Sequence, residues 1–248
     1  MEIEKKNIKP VNNGMAKQEM FIPAMLVFAV FGGLALGNYL YWPRDKHWIG
    51  LTLNALGLIL FAFLFYFYRD PERKIAAGKN DIVCPADGKI VGIEEVTDAP
   101  GVKGKYTRIS IFLNAFNVHI QRMPFSGKVV DIKVLPGLLL PAFHKNAGSK
   151  NRQNIILIKG DITAVVKQIA GVLVHRPIAW VDVGEELKAG DRLGMITFGS
   201  RVELFVPASS CTITAEEGDI VKGGTTLLGK YINKETKNKR PSKKAAKN

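Results

Sequence analysis

The feature that most constrains this chain is a pair of tandem apolar runs, residues 21–42 and 48–68. Neither run contains a charged residue, and the loop between them carries Arg44, Asp45 and Lys46. Each run is about twenty residues, the length at which a helix crosses the hydrocarbon layer of a bilayer. Trp42, Trp48, Tyr66 and Tyr68 fall at the run ends, where amphipathic rings favour the membrane interface. Two spans in tandem, the first beginning well inside the chain, argue against a cleaved leader. A buried helical hairpin in a soluble protein is the weaker explanation of two uninterrupted runs of this length. Lys5, Lys6, Lys9 and Lys17 precede the hairpin, and Arg69, Arg73 and Lys74 follow it. The positive-inside rule then puts both termini, and the globular part, on the cytoplasmic side of the cell (inner) membrane.

Past residue 69 the pattern changes from helix length to strand period. Short alternating segments are expected as strands over residues 82–84, 89–93, 107–113, 118–123, 128–135, 154–158, 163–169 and 171–174. Asp-Gly, Pro-Gly and Lys-Gly-Asp turns separate them. No long amphipathic helix is evident after residue 75. The expected fold is mainly β, a barrel- or sandwich-like domain over residues 69–232 behind a two-helix transmembrane hairpin over 21–68. The phrases VGEELKAGDRLG and EEGDIVKGGTTLLG are alike and resemble hairpins of biotinyl/lipoyl-type barrels. Residues 1–20 form a polar, basic lead. Residues 233–248 carry seven Lys or Arg against Glu235, with no large apolar side chain, and are expected to be disordered. The formal net charge is +13. Beside two spans, a basic tail fits anionic lipid headgroups better than nucleic acid, with a solvated, solubilising tail as the equal alternative. Cys84 and Cys211 lack metal-ligand spacing and read as buried free thiols; no metal site is expected.

Residues 190–207 read as two strands meeting at Gly199-Ser200, with Leu193, Met195, Val202, Leu204 and Val206 on one face. A glycine inside a strand marks a bulge or a close backbone approach, and a bulge beside an ordinary serine is the plainest reading. The same geometry also permits chemistry. A serine hydroxyl held against the preceding carbonyl can convert the amide to an ester, and loss of the serine α-proton then cuts the chain. The product is a pyruvoyl group, a ketone that draws electrons from an amine. Two other residues stand outside strand grammar: Asp87, in a Pro-Ala-Asp-Gly turn, and His119, in Asn117-Val118-His119. Each alone is ordinary. With Ser200 they supply a nucleophile, a base and a carboxylate to orient the base. Asp87 is expected to fix the His119 tautomer and stabilise its charged form, keeping the imidazole near working pH.

These motifs carry a resemblance. Tyr68-Arg69-Asp70-Pro71-Glu72-Arg73 after apolar spans, the Pro-Ala-Asp-Gly turn, Phe112-Leu113-Asn114 with Asn117-Val118-His119, and Phe198-Gly199-Ser200-Arg201-Val202 before Pro207 resemble the phosphatidylserine decarboxylase family, in its short bacterial and archaeal branch. The resemblance implies self-cleavage at Gly199-Ser200 into a β-chain of residues 1–199 and an α-chain of residues 200–248. It implies a pyruvoyl group from Ser200, needing neither pyridoxal phosphate nor a metal, and His119 and Asp87 in the active site. The implied reaction turns phosphatidylserine in the bilayer into phosphatidylethanolamine and CO2; a homo-oligomer is left open. Arg122, Lys145, Asn151 and Arg176 are candidates for holding the substrate. The segment 136–154 departs from the family pattern at Lys145-Asn146 and Arg152-Gln153. The rival readings are the same chemistry on another serine phospholipid, such as an archaetidylserine-like one, and a membrane-anchored barrel without catalysis. With Asp87, His119 and Ser200 all beyond Lys74, a chain starting near Lys74 is expected to cleave itself.

Overall fold

The computed structural model describes residues 15–41, 47–75, 77–144, 146–172, 177–197 and 199–232. The basic tail, most of the N-terminal lead, Lys145, His175, Arg176 and Phe198 lie outside the described residues.

Helices α1 (Met15–Tyr41) and α2 (His47–Phe67) take the two apolar runs. α1 starts before its run because Met15, Ala16, Lys17, Gln18 and Glu19 are strong helix formers. The helices approach closely at glycine: a Cβ on Gly57 would lie 2.3 Å from the Phe31 ring. Phe21, Ile22, Phe28, Trp48, Leu51, Leu58 and Ile59 are exposed. A hairpin buried in a soluble protein would have these covered. Both helices are long and apolar enough to cross a bilayer.

The rest is mainly β, in three antiparallel sheets. The largest has eight strands in the order β13 (Ile220–Val221), β2 (Gly88–Ala99), β3 (Val102–Leu113), β11 (Ser200–Pro207), β7 (Thr163–Ile169), β6 (Gln153–Lys159), β5 (Gly127–Leu135) and β9 (Glu186–Leu187). A second sheet joins β1 (Asp81–Val83), β14 (Leu227–Tyr231) and β12 (Cys211–Ile213). The third joins β4 (Ile120–Arg122), β10 (Arg192–Met195) and β8 (Ile178–Ala179). α3 (Ala147–Lys150) is a single turn. Strand alternation decides the faces. Ile109, Ile111 and Leu113 of β3, Ala164 and Val166 of β7, and Val202, Leu204 and Val206 of β11 point into the main core. Tyr106, Val165 and Phe205, one residue out of phase, form a smaller cluster on the opposite face.

Two expectations change. Gly171 and Val172 are not in a strand. The two strands read across Gly199 belong to different sheets, β10 to the third and β11 to the centre of the first. Gly199 therefore sits at a crossover, with φ +64°. A Cβ there would meet nothing within 4 Å among the described residues, so backbone conformation, not crowding, favours glycine.

Candidate active site

The crossover separates two paired segments. β3 and β11 pair as far as Leu113 opposite Ser200. β4 and β10 pair from Ile120 opposite Met195. Between them, residues 114–119 and residues 196, 197 and 199 are outside the strands. Ser200 is the last paired residue of one segment. His119 adjoins the other, where its carbonyl accepts the Ile196 N–H at 3.2 Å.

Asn114 and Asn117 shape the first loop. The Asn114 N–H donates to Asn117 Oδ1 and the Phe116 N–H to Asn114 Oδ1, both at 2.9 Å. The resulting turn sets the Asn117 carbonyl 2.9 Å from His119 Nδ1. A carbonyl only accepts, so Nδ1 carries the proton and Nε2 presents a lone pair. His119 and Ser200 are both fully buried. Neither His119 Nε2 nor Ser200 Oγ has a hydrogen-bond partner among the described residues. A buried polar group left unpaired costs roughly 1–3 kcal/mol. Two such atoms beside one crossover need a reason other than stability.

The end of α2 forms the roof. The Phe67 ring lies over the His119 ring with centroids 4.2 Å apart and planes 33° apart. Leu64, Phe67 and Tyr68 pack with Val118, Ile120, Trp180 and Met195 in a second cluster joining the hairpin to the third sheet. Burial under this roof, opposed by the Asn117 carbonyl, aided by Arg69 and opposed weakly by Asp87, lowers the His119 pKa to about 4. The ring is a neutral base at pH 7. Asp87 favours the charged form as expected, but burial outweighs it, and the backbone of Asn117 fixes the tautomer.

The Asp87 carboxylate is held by another partner. Arg73 grips it with both terminal nitrogens at 2.7 Å, and the Gly223 N–H donates to Oδ1 at 2.8 Å. Next to it, Gly88 has φ +153°, and a Cβ there would lie 2.1 Å from the Phe112 carbonyl oxygen. That contact explains the Asp-Gly pair in this turn. The rest of the Arg69-to-Arg73 strap docks equally firmly. Arg69 donates to the Tyr66 and Phe116 carbonyls at 2.7 Å and stacks on the Tyr66 ring. Asp70 accepts from Arg192 Nε at 2.6 Å and faces Arg122 at 3.4 Å. The site is thus not contained beyond Lys74. A chain starting there would lack Phe67, Arg69, Asp70 and Arg73.

Residues 60–229 match the family described as phosphatidylserine decarboxylase. The chain is 38% identical over 211 residues to the phosphatidylserine decarboxylase proenzyme of Carboxydothermus hydrogenoformans, covering 85% of this chain and 92% of that one. The proenzyme of the same name from Syntrophus aciditrophicus is 38% identical over 212 residues, 85% of this chain and 95% of its own. That of Amoebophilus asiaticus is 33% identical over 221 residues, 88% and 94%. This chain belongs to the phosphatidylserine decarboxylase family.

Within this phosphatidylserine decarboxylase fold, Arg122 and Asn151 have structural partners. Arg122 is buried and donates to the Gly190 and Pro71 carbonyls at 3.0 and 3.1 Å, holding the strap. Asn151 is fully buried; its amide nitrogen donates to the Leu140 and Ala170 carbonyls at 2.7 Å, and its oxygen accepts the Leu140 N–H at 3.0 Å. It hangs the 138–140 segment on the domain. Lys145 and Arg176 lie outside the described residues. His144 is exposed, with Nδ1 accepting the Asn146 N–H. Both cysteines are free, and burial pushes each thiol to about 12. Among the described residues no cluster of three metal-ligating side chains forms. Reading by residue type missed Phe67 and Arg73. Arg73 lay in a motif used for the family likeness, but nothing in its spacing links it to Asp87, 14 residues on.

Proposed function

We propose that this chain is a membrane-anchored phosphatidylserine decarboxylase that cuts itself between Gly199 and Ser200 and forms its pyruvoyl group from Ser200. The observation that supports the reading is that Ser200 Oγ and His119 Nε2 are both buried without a partner among the described residues, where the β3–β11 pairing ends and the β4–β10 pairing begins. The His119 lone pair takes the Ser200 hydroxyl proton while Oγ adds to the Gly199 carbonyl carbon. The C–N bond breaks, the nitrogen takes a proton, and an ester joins the two halves. Removal of the Ser200 α-proton expels the Gly199 carboxylate as the end of the β-chain. Water then replaces the Ser200 nitrogen, which leaves as ammonia. Residues 200–248 stay attached, because β11 is held between β3 and β7 of the β-chain, and β13 and β14 pair with β2 and β1.

The pyruvoyl ketone supplies an electron sink for the substrate amine. His119 Nε2 is the atom placed to return a proton to the carbon that loses CO2. A substrate carboxylate near His119 favours the imidazolium and offsets the burial that lowers its pKa. The roof of Phe67 and Tyr68 excludes water from that proton. The hairpin spans the bilayer that holds the substrate, with the β domain on the cytoplasmic side.

The test is CO2 release by the full chain in phospholipid vesicles supplied with diacyl or diether serine lipids. Release from phosphatidylserine with formation of phosphatidylethanolamine is expected. A fully cleaved preparation that releases none would overturn the reading, and release from the diether lipid alone would redirect it.

A further inference from the structure

The face of the large sheet opposite the main core carries a cavity of about 440 Å³. Arg108 and Ser110 of β3 and Arg201 of β11 line it, with Val91, Phe112 and Phe143 as apolar walls. Phe143 is 79% exposed, so one wall opens outward. Arg108 pairs with Glu94 at 2.6 Å. Arg201 and Lys167 both pair with the buried Glu203, and Lys167 also donates to the Gly148 carbonyl. Three cations thus meet two carboxylates, leaving one positive charge uncompensated. Arg108 Nε and Arg201 Nε are buried without an acceptor among the described residues.

A monoanion with two equivalent oxygens fits this arrangement, because guanidinium groups bind phosphate through paired N–H donors. The cavity lies across β11 from the Ser200 side chain and reaches the proposed chemistry through Arg201 at the end of the strand. Arg201 follows Ser200 directly, and after cleavage residue 200 is the free end of β11. In a serine phosphodiester the amine nitrogen and the phosphorus are four bonds apart, roughly the rise of one to two strand residues (~3.3 Å each). An amine held at residue 200 therefore brings its phosphate over the Arg201 side of the strand, with apolar walls for the glycerol beyond it.

We propose that this cavity is the phosphate pocket for the phospholipid headgroup, with Arg201 and Arg108 as its specificity residues. The proposal rests on the decarboxylase reading for the identity of the lipid. Binding can be read without turnover, by 31P NMR of dihexanoyl phosphatidylethanolamine with the full-length Ser200→Ala chain in detergent. Adding Arg108→Gln should weaken that binding ~10-fold or more, the usual worth of a hydrogen bond to a charged group. Arg201→Gln should do the same. Arg201→Lys keeps the charge beside Glu203, so it covers the case in which the glutamine variant does not fold, and should lose less. In the cleaved enzyme Arg108→Gln should raise KM for phosphatidylserine by a similar factor, with a smaller change in kcat. Unchanged affinity in Arg108→Gln and Arg201→Lys would overturn the proposal. So would inorganic phosphate binding as tightly as the lipid, since the pocket would then be a general anion site. Weakened lipid binding together with no CO2 release by cleaved wild type would support the pocket and defeat the decarboxylase reading.

Discussion

Two buried polar groups lie under the end of α2 and the strap that follows it, and they are built in opposite ways. In the strap group Arg73 and Asp87 pair through both carboxylate oxygens, Asp70 faces Arg122 and Arg192, and carbonyls take further guanidinium N–H donors. In the other, Ser200 Oγ and His119 Nε2 are equally buried and have no partner among the described residues. Satisfied polar groups hold parts together; unsatisfied ones store capacity to react. The strap fixes the end of α2 over His119. The Ser200 and His119 pair keeps a nucleophile and a neutral base ready.

The contrast gives a ranked set of expectations. Removing the reactive base should matter most: His119→Ala should slow self-cleavage by ~10²–10⁴-fold, the usual worth of general base help. A time course on gels measures this, and a wild-type rate would return His119 to an ordinary strand histidine. Removing one partner of the satisfied group should act on stability instead. Arg73→Ala leaves Asp87 buried without its cation and should cost about 3–5 kcal/mol. Denaturant unfolding in detergent should show the loss, and Arg73→Lys should recover part of it. Asn151→Ala removes hydrogen bonds to Leu140 and Ala170 and should cost about 1–3 kcal/mol without touching cleavage chemistry. An equal loss of cleavage rate in that variant would mean that the 138–140 segment takes part in the chemistry.

The smallest effect expected is that of mild acid. An ordinary histidine base would lose about tenfold of its unprotonated form between pH 7.5 and 5.5. His119, with its pKa at about 4, stays unprotonated there, so cleavage should hold its rate down to about pH 5 and fall near pH 4. Stability has the matching sign. The unfolded chain takes up a proton on His119 near pH 6.5, which the native chain refuses until about pH 4. The unfolded state therefore binds more protons in that window, and stability falls as pH falls through it. An acid limb at pH 6.5 would show that Phe67 does not seal the ring.

Much of this was legible in the sequence because it is local. Charge-free runs of twenty residues have few folds open to them, and strands with alternating faces are readable where both faces differ, as in β3, β7 and β11. Asp87, His119 and Ser200 were legible as a set through their motifs. Their partners were not. Arg73 reaches Asp87, and Phe67 reaches His119, only because the strap turns back onto the domain after α2. The depressed pKa of His119 follows from that burial, which no property of the neighbouring residues announces. Arg122, a candidate for holding substrate, shows the same point: its hydrogen bonds reach the Gly190 and Pro71 carbonyls, 68 and 51 residues away in sequence.

The most direct test of self-cleavage is the intact mass of the purified full-length protein beside its Ser200→Ala variant. Wild type should give two fragments divided between Gly199 and Ser200. The smaller should lack the serine nitrogen and resist Edman degradation, while the variant remains one chain. A single uncut chain in a wild-type preparation that releases CO2 from phosphatidylserine would contradict the roles of Ser200 as nucleophile and His119 as its base.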